Sequence, residues 1–348
     1  MKKIIIMTFM LAIATIAVKA QDAAKPADPP LTISGSVDAY YKYDFSGHNN
    51  IPTSFASDNN SFSIGMIDLA LKKKVGKASF VGEASFGPRS DQSLPVPANH
   101  IQNLYVSYDV SPSFNLTGGY MGTFIGYEVI SPVGNFNYST SYLFTNGPFQ
   151  NAGVKATFTF SDKASLMVGA FNDQWNVYTA AHNIGAFGAQ LFLAPAKGWT
   201  AYINLLTSNN STITSGTVVD LTTAYQITDA FKLGLNAADY SASKGAGTGG
   251  YSGLALYPQI AVSSDVTLGL RGEYFKTKTG TYTAFGPAAG SSVTAFTLTA
   301  AIKSGPLTLI PELRLDGNNK LAGSAFTNSS GVITKSASQF VLAAVYAF

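Results

Sequence analysis

Apolar and polar residues alternate with a period of two in segment after segment from residue 31 to residue 348. In residues 31–45 the odd positions are mostly apolar, and most even positions from Ser34 to Asp44 are polar. Successive side chains of a strand point to opposite faces, so this pattern predicts a β-strand with one apolar and one polar face. Sixteen such strands are predicted, near residues 31–45, 60–74, 77–88, 100–110, 113–122, 151–161, 164–172, 183–193, 198–207, 216–227, 230–240, 250–262, 265–276, 291–303, 306–316 and 337–348. The alternation slips phase near Met66 and Ile67, which indicates a β-bulge.

The connections between these strands alternate in length. Turns of two or three residues follow the even-numbered strands, whereas longer polar loops follow the odd-numbered ones, at 46–59, 89–99, 123–150, 173–182, 208–215, 241–249, 277–290 and 317–336. Short turns at one end and long loops at the other predict an all-β, transmembrane, antiparallel up-and-down barrel of about 16 strands. A soluble β-sandwich or lectin would also alternate, but its surface would carry more than the 12% charged residues found here.

The N-terminal residues predict export. Residues 1–20 combine a basic start with an apolar run and a plausible cleavage site before Gln21, which is typical of a signal peptide. Residues 21–30 form a Pro/Ala-rich linker, and residues 31–348 are predicted to be one barrel domain without a second domain. Cleavage would reduce the 22 basic residues to 19, equal to the 19 acidic ones, so the net charge gives no indication of nucleic-acid binding. The predicted location is the outer membrane of a Gram-negative bacterium, among its lipids.

The last strand and two internal clusters carry a family resemblance. Residues 339–348 alternate aromatics and end on Phe348, which resembles the C-terminal signal read by the outer-membrane assembly machinery. The motifs Gly126-Tyr127-Glu128, Asn135-Phe136-Asn137-Tyr138-Ser139, Pro148-Phe149 and Gly153-Val154-Lys155-Ala156, with Pro311-Glu312-Leu313-Arg314-Leu315-Asp316, resemble the OmpL-like β-barrel porin family. The family pattern has a His shortly before Gly153, where this chain has Gln150-Asn151-Ala152. The resemblance implies an outer-membrane porin-like barrel and does not specify a solute.

Charged residues on the inward-facing positions are the candidate pore-lining residues, because a barrel of this size leaves a water-filled lumen and charges facing lipid are costly. The predicted lining and constriction residues are Asp38, Lys42, Glu83, Glu128, Lys155, Arg271, Glu273, Glu312 and Arg314. Such charges either set a field for solutes or neutralise one another to stabilise the barrel, and the sequence does not decide between these roles.

The 123–150 loop is predicted to fold into the barrel and narrow it, because it is long, rich in Tyr, Phe and Asn, and contains one charged residue, Glu128. The alternative is an outer surface loop. An inward Glu128, sharing the constriction with Arg271 or Arg314, would give a mild preference for cations.

The leading hypothesis is therefore a porin for passive diffusion of small hydrophilic solutes. The alternative is a structural or adhesive outer-membrane barrel that acts through its outer loops. We expect no enzymatic activity, cofactor or metal site, because His48, His100 and His182 lie in or beside different loops and the chain has no cysteine. A homo-oligomer is left open.

Overall fold

Strands that are neighbours in the chain pair antiparallel, and the first strand pairs with the last, which closes the sheet into a barrel. The computed structural model describes residues 28–94, 100–173, 183–210 and 214–348. The predicted signal peptide, most of the linker and His182 lie outside these ranges. The barrel strands are β1 (Thr32–Asp44), β2 (Ser61–Val75), β3 (Ala78–Phe86), β4 (Ile101–Ser111), β5 (Phe114–Gly122), β6 (Gln150–Ser161), β7 (Ala164–Phe171), β8 (Ala186–Ala196), β9 (Trp199–Ser208), β10 (Gly216–Gln226), β11 (Phe231–Ala242), β12 (Gly250–Ala261), β13 (Val266–Thr277), β14 (Ser292–Ser304), β15 (Leu307–Asn318) and β18 (Ser336–Ala347). The predicted sixteen-stranded up-and-down barrel is confirmed.

The remaining regular structure lies in the long loops. A two-residue hairpin, β16 (Phe326–Thr327) with β17 (Ile333–Thr334), belongs to the last loop, and short helices α1 (Pro88–Ser93) and α2 (Tyr142–Asn146) belong to earlier ones. Within the described ranges, neither these helices nor the two 3-10 turns are long and apolar enough to cross a bilayer. The loops therefore add small structural units at one end of the barrel, and the short turns connect strands at the other.

Side chains on alternate positions of each strand face outward and inward, as the period of two requires. In β1, for example, Ser36, Asp38, Tyr40, Lys42 and Asp44 are buried, and most of the residues between them are exposed. Outward residues such as Phe62, Ile64 and Val106 are large and apolar. An apolar outer wall is suited to a hydrocarbon environment rather than to water.

A β-bulge interrupts the pairing of β1 with β2, where the sequence pattern slips. Val37 pairs with Ile67 and Ala39 with Ile64, so β2 has one more residue than β1 in this interval. As a result the consecutive residues Gly65 and Met66 are both buried. The Met66 N–H, which the ladder leaves unpaired, donates to the Asp38 carboxylate at 2.8 Å. Gly65 is required here, because a Cβ would lie 1.8 Å from Asp38 Oδ2. An inward carboxylate thus stabilises the bulge.

Large apolar side chains occupy the inward face near the long-loop end, which differs from the small polar inner face predicted from the sequence. Leu206, Val218, Tyr251 and Phe275 are at most 1% exposed and form one cluster. Tyr142 of α2 packs into the same cluster. The difference has a physical cause, since the long loops cover this end and exclude water, so burial there favours apolar groups.

Candidate functional site

The loop between β5 and β6, residues 123–149, lies against the inner wall of the barrel. We call it the inner loop. Its backbone and side chains contact inward residues of β10, β13, β15 and β1, which together with the strands between them make up half of the barrel circumference. Because the loop leaves the wall at β5 and returns at β6, these contacts place it across the barrel interior.

Glu128 and Arg271 form the first anchor of the inner loop. Arg271 Nη1 lies 2.8 Å from Glu128 Oε1, and both side chains are almost completely buried. The same carboxylate accepts hydrogen bonds from the Ser141 N–H at 2.7 Å and the Tyr257 hydroxyl at 3.2 Å. Arg271 also donates to the Ser139 carbonyl at 2.6 Å. Glu128 is therefore a structural tie, and its pairing with Arg271 removes the basis for the expected preference for cations.

Glu273, two residues from Arg271 on β13, anchors helix α2. Its two carboxylate oxygens accept from the Tyr142 N–H at 2.9 Å and the Leu143 N–H at 2.8 Å. Ser141 caps the same helix, with its hydroxyl accepting from the Phe144 N–H at 3.0 Å. The first N–H groups of a helix have no partner within the helix, and an acid and a hydroxyl are the groups that stabilise them.

Glu312 on β15 binds backbone N–H groups of the inner loop shortly before α2. Its carboxylate accepts from the N–H groups of Tyr138 at 2.9 Å and Ser139 at 3.1 Å, and from the Thr299 hydroxyl at 2.9 Å. Asn137 donates to the same Thr299 hydroxyl at 2.7 Å. The middle of the inner loop is thereby fixed to β14 and β15.

Arg314 faces the inner loop, but its ionic partner is Asp316 rather than Glu128. Nε and Nη2 of Arg314 donate to the two Asp316 oxygens at 2.8 and 3.0 Å, and its Nη1 donates to the Thr140 carbonyl at 2.8 Å. The Tyr142 hydroxyl donates to Asp316 at 2.7 Å. Of the two predicted partners for Glu128, the structure brings Arg271 to it and gives Arg314 a separate pair.

Asp38 and Lys42 contribute from β1. Asp38 accepts from the Tyr138 hydroxyl at 2.5 Å in addition to the bulge N–H, so it links the inner loop to the wall. Lys42 is buried and donates to the Ala56 carbonyl at 3.0 Å and to the Asn49 side chain, both in the loop between β1 and β2. Lys42 is inward-facing, as predicted, and it holds the loop between β1 and β2.

Glu83 and Lys155 lie apart from these anchors. Glu83 is half-buried and accepts from the Asn103 amide at 2.6 Å. Lys155 is half-buried on β6 and makes neither a hydrogen bond nor an ion pair with the residues that the structure describes. The predicted set thus divides into residues engaged with loops, Glu83, which is bonded to a neighbouring strand, and Lys155, which borders a cavity.

Arg89 was missed by the sequence reasoning. It lies in α1, within the stretch read as an irregular loop at 89–99, and it is 1% exposed. Its guanidinium donates to the Ile130 carbonyl at 3.0 Å and the Tyr138 carbonyl at 3.2 Å, and lies over the rings of Phe55 and Tyr138. No periodic signal could identify it, because Arg89 comes from a loop and not from a strand face.

Other long loops close over the inner loop from outside. The Thr140 hydroxyl donates to the Ser54 carbonyl at 2.7 Å, and Asn146 exchanges two hydrogen bonds of 2.8 and 2.9 Å with the Phe285 backbone. In the loop after β13, burial against other aromatics raises the pKa of the Tyr282 hydroxyl to about 12. The described residues of these long loops therefore pack against the inner loop and one another.

Two cavities lie on the side of the inner loop that faces the short turns. The larger has a volume of about 600 Å³ and includes Lys232, Gln259, Lys303 and Thr308 in its wall. The smaller has a volume of about 420 Å³ and includes Lys155, Gln190, Tyr202 and Thr222. Tyr127 borders both cavities and stacks on Tyr257 with ring centres 4.4 Å apart.

Known structures share this fold over almost the whole chain. The outer membrane channel DcaP of Acinetobacter baumannii is 14% identical, with a TM-score of 0.64 over 95% of this chain and 100% of that chain. The anion-selective porin from Comamonas acidovorans is 13% identical, with a TM-score of 0.64 over 92% and 99% of the two chains. OmpF of Salmonella typhi, in complex with daunomycin, is 11% identical, with a TM-score of 0.60 over 91% and 97%. At these identities the likeness shows the fold alone.

Sequence comparison gives the family. A search of curated protein sequences finds no match. The profile of the family described as "Putative beta-barrel porin-2, OmpL-like" matches residues 30–348, which include every barrel strand. The predicted resemblance is confirmed, and the chain belongs to this OmpL-like β-barrel porin family of the outer membrane.

Proposed function

We propose that this protein forms an outer-membrane channel for passive diffusion of small hydrophilic solutes, and that the inner loop is its constriction. The observation that carries the proposal is the position of the inner loop. It leaves the wall at β5, is hydrogen-bonded to Asp220 on β10, Arg271 on β13, Glu312 on β15 and Asp38 on β1, and returns at β6. A segment tied to the far half of the wall limits the free cross-section of the barrel.

The chemistry of the two cavities supports hydrophilic rather than lipid-like solutes. Both are bordered by hydroxyl, amide and ammonium groups, among them Lys155, Tyr202, Lys232, Gln259 and Thr308. A path for lipids would be lined mainly by apolar side chains, because an unpaired polar group in contact with hydrocarbon is costly. Water and small polar molecules can replace the hydrogen bonds that such a lining offers.

The test is the conductance of the purified protein in a planar lipid bilayer. We expect stable single-channel steps from the full chain. Deletion of residues 129–146 should raise the single-channel conductance, because it removes the helix α2 and the anchored middle of the inner loop. Deletion of Ser329 and Ser330, two exposed residues in the turn between β16 and β17, is the control and should change conductance less. If the 129–146 deletion leaves conductance at the wild-type value, the inner loop is not the constriction.

A closed structural or adhesive barrel is the second candidate, and one observation favours it. The long-loop end is packed, with Asn50 forming two hydrogen bonds of 2.8 and 2.9 Å to the Thr327 backbone across two loops. A barrel whose cap stays shut would display its outer loops without conducting. Silence of both the full chain and the 129–146 deletion in the bilayer assay would support this candidate and reject the channel.

We also propose the route to the membrane that the sequence predicts, with cleavage after Ala20 and assembly by the outer-membrane machinery through the C-terminal strand. Phe348 closes the barrel, exchanging two backbone hydrogen bonds of 3.0 Å with Gly35. An N-terminal sequence beginning at Gln21 in the outer-membrane fraction is the expected result, and an intact Met1 would reject cleavage. One structure of similar fold, OmpT of Vibrio cholerae, is described as a trimer form, and a homo-oligomer here is a proposal for crosslinking to test.

A further inference from the structure

Three inward lysines have no partner for their charge among the residues that the structure describes. Lys155 on β6 borders the smaller cavity, and Lys232 on β11 and Lys303 on β14 border the larger one. Within the part of the chain that the structure describes, none of these ammonium groups makes a hydrogen bond or an ion pair. An ammonium group in this position is compensated by water and by mobile anions.

The acids that line the two cavities do not offset these lysines. Among the described residues that line the two cavities, the acid is Glu128, and its charge is already compensated by Arg271 at 2.8 Å. On another part of the wall, by contrast, Lys74 pairs with Asp109 at 2.6 Å. The cavities beside the inner loop therefore carry an uncompensated positive charge.

Neutral donors line the same cavities as these lysines. Thr222 and Tyr202 supply hydroxyl groups to the smaller cavity, and Gln259 and Thr308 supply an amide and a hydroxyl to the larger one. Carboxylate and phosphate oxygens accept hydrogen bonds from ammonium, hydroxyl and amide groups, and charged partners make the stronger bonds. The described lining residues include no unpaired carboxylate that could bind a cation.

We propose that the two cavities are binding stations for small anions, of the carboxylate and phosphate class, and that the channel conducts anions in preference to cations. This inference rests on the proposed function and names its solute class. It replaces the preference for cations expected from Glu128, whose carboxylate is buried in the anchor. Tyr127 borders both cavities, so the two sites lie beside one ring.

The test is the reversal potential of single channels in a gradient of potassium chloride, for the wild type and for Lys155→Gln, Lys232→Gln and Lys303→Gln. We expect the wild type to favour chloride. A unit charge some 8 Å from the ion path in water-like surroundings changes ion occupancy about twofold, in opposite directions for chloride and potassium, so each substitution should lower the chloride-to-potassium permeability ratio about fourfold. The triple variant should lose the preference. Arginine at the same positions should retain it.

Lys197→Gln is the matched control, because Lys197 is an exposed lysine of the short turn between β8 and β9 and does not border either cavity. It should leave the permeability ratio unchanged. Added inorganic phosphate should reduce the chloride current of the wild type and have little effect on the triple variant. A channel that conducts but favours potassium, or whose ratio is the same in the triple variant, overturns the anion sites. Absence of conductance would instead overturn the proposed function.

Discussion

Replacement of Arg271 by alanine should release the inner loop from the wall. Arg271 is fully buried and is the ionic partner of Glu128, and it also donates to the Ser139 carbonyl at 2.6 Å. In the Arg271→Ala variant, Glu128 keeps only the Ser141 N–H and the Tyr257 hydroxyl as hydrogen-bond donors. A buried carboxylate with its charge uncompensated should leave its site and take the loop with it.

The magnitude follows from the burial of the pair. Removal of one partner of a buried ion pair costs about 3–5 kcal/mol, whereas loss of an exposed pair costs little. Both side chains here are at most 5% exposed, so the larger range applies. Each 1.4 kcal/mol is about a tenfold change in an equilibrium constant, so local opening of the inner loop should increase on the order of 100-fold or more.

The absence of cysteine from the chain permits a direct assay. A single reporter, Thr145→Cys in α2, is placed at a position that is 8% exposed, and its rate of labelling by a water-soluble maleimide measures how often the loop opens. The rate should increase on the order of 100-fold with Arg271→Ala. It should return to within about tenfold of the starting value when Arg271→Met is combined with Glu128→Gln, which removes both charges.

Lys74→Met is the control for this experiment, because it breaks an ion pair that is largely exposed. It should change the labelling rate by about threefold or less. A labelling rate that does not respond to Arg271→Ala would show that the buried pair does not hold the loop, and the reasoning from burial would be refuted.

Two further substitutions test the contacts beside the cavities and the bulge. A Cβ at Gly234 would lie 2.2 Å from the Tyr127 hydroxyl oxygen, so Gly234→Val should displace that ring and change single-channel conductance. Gly272→Ala is the control and should leave conductance unchanged, because its added carbon has no neighbour closer than 3.7 Å. Asp38→Ala leaves the bulge N–H and a loop tyrosine hydroxyl without their acceptor, which costs about 1–3 kcal/mol for each group. The temperature at which the barrel loses its compact form on a detergent gel should fall, and an unchanged temperature would contradict this role.

The fold was predictable because it depends on local periodicity. Alternation assigns each residue to one face, and in a closed antiparallel barrel that assignment fixes most of the architecture. Even the slip at Met66 was informative, since the extra residue of the bulge shifts the phase of β2. The inward direction of Asp38, Arg271, Glu273, Glu312 and Arg314 followed from the same rule.

The partners of those inward residues could not be predicted in the same way. Arg271 and Glu128 are 143 positions apart, and Glu312 and Tyr138 are 174 apart, so the pairing depends on where a non-repetitive loop crosses the barrel. Arg89 contacts the same loop from a helix outside every periodic segment. The apolar inner face near Phe275 was also missed, because alternation assigns a side and does not reveal which parts of the interior are dry.

The inner loop explains why the wall carries so many charges near the long-loop end. Each of its N–H and C=O groups needs a partner, and a loop inside a barrel has no neighbouring strand to supply one. Glu273 and Glu312 accept two backbone N–H groups each, and the guanidinium groups of Arg271 and Arg314 donate to the Ser139 and Thr140 carbonyls. The carboxylates of the wall thus accept from N–H groups of the inner loop, and the guanidinium groups donate to its carbonyls.

Inward charge in this barrel therefore has two uses that the sequence pattern does not distinguish. An inward charge that is paired with an opposite charge within 3 Å, as in the Glu128–Arg271 and Arg314–Asp316 pairs, contributes little to the field that a solute meets. An inward charge that borders the open cavities without an ionic partner acts on the solute at longer range. Lys155, Lys232 and Lys303 are of this second kind, so ion selectivity should follow these lysines even though the anchors hold more of the inward charge.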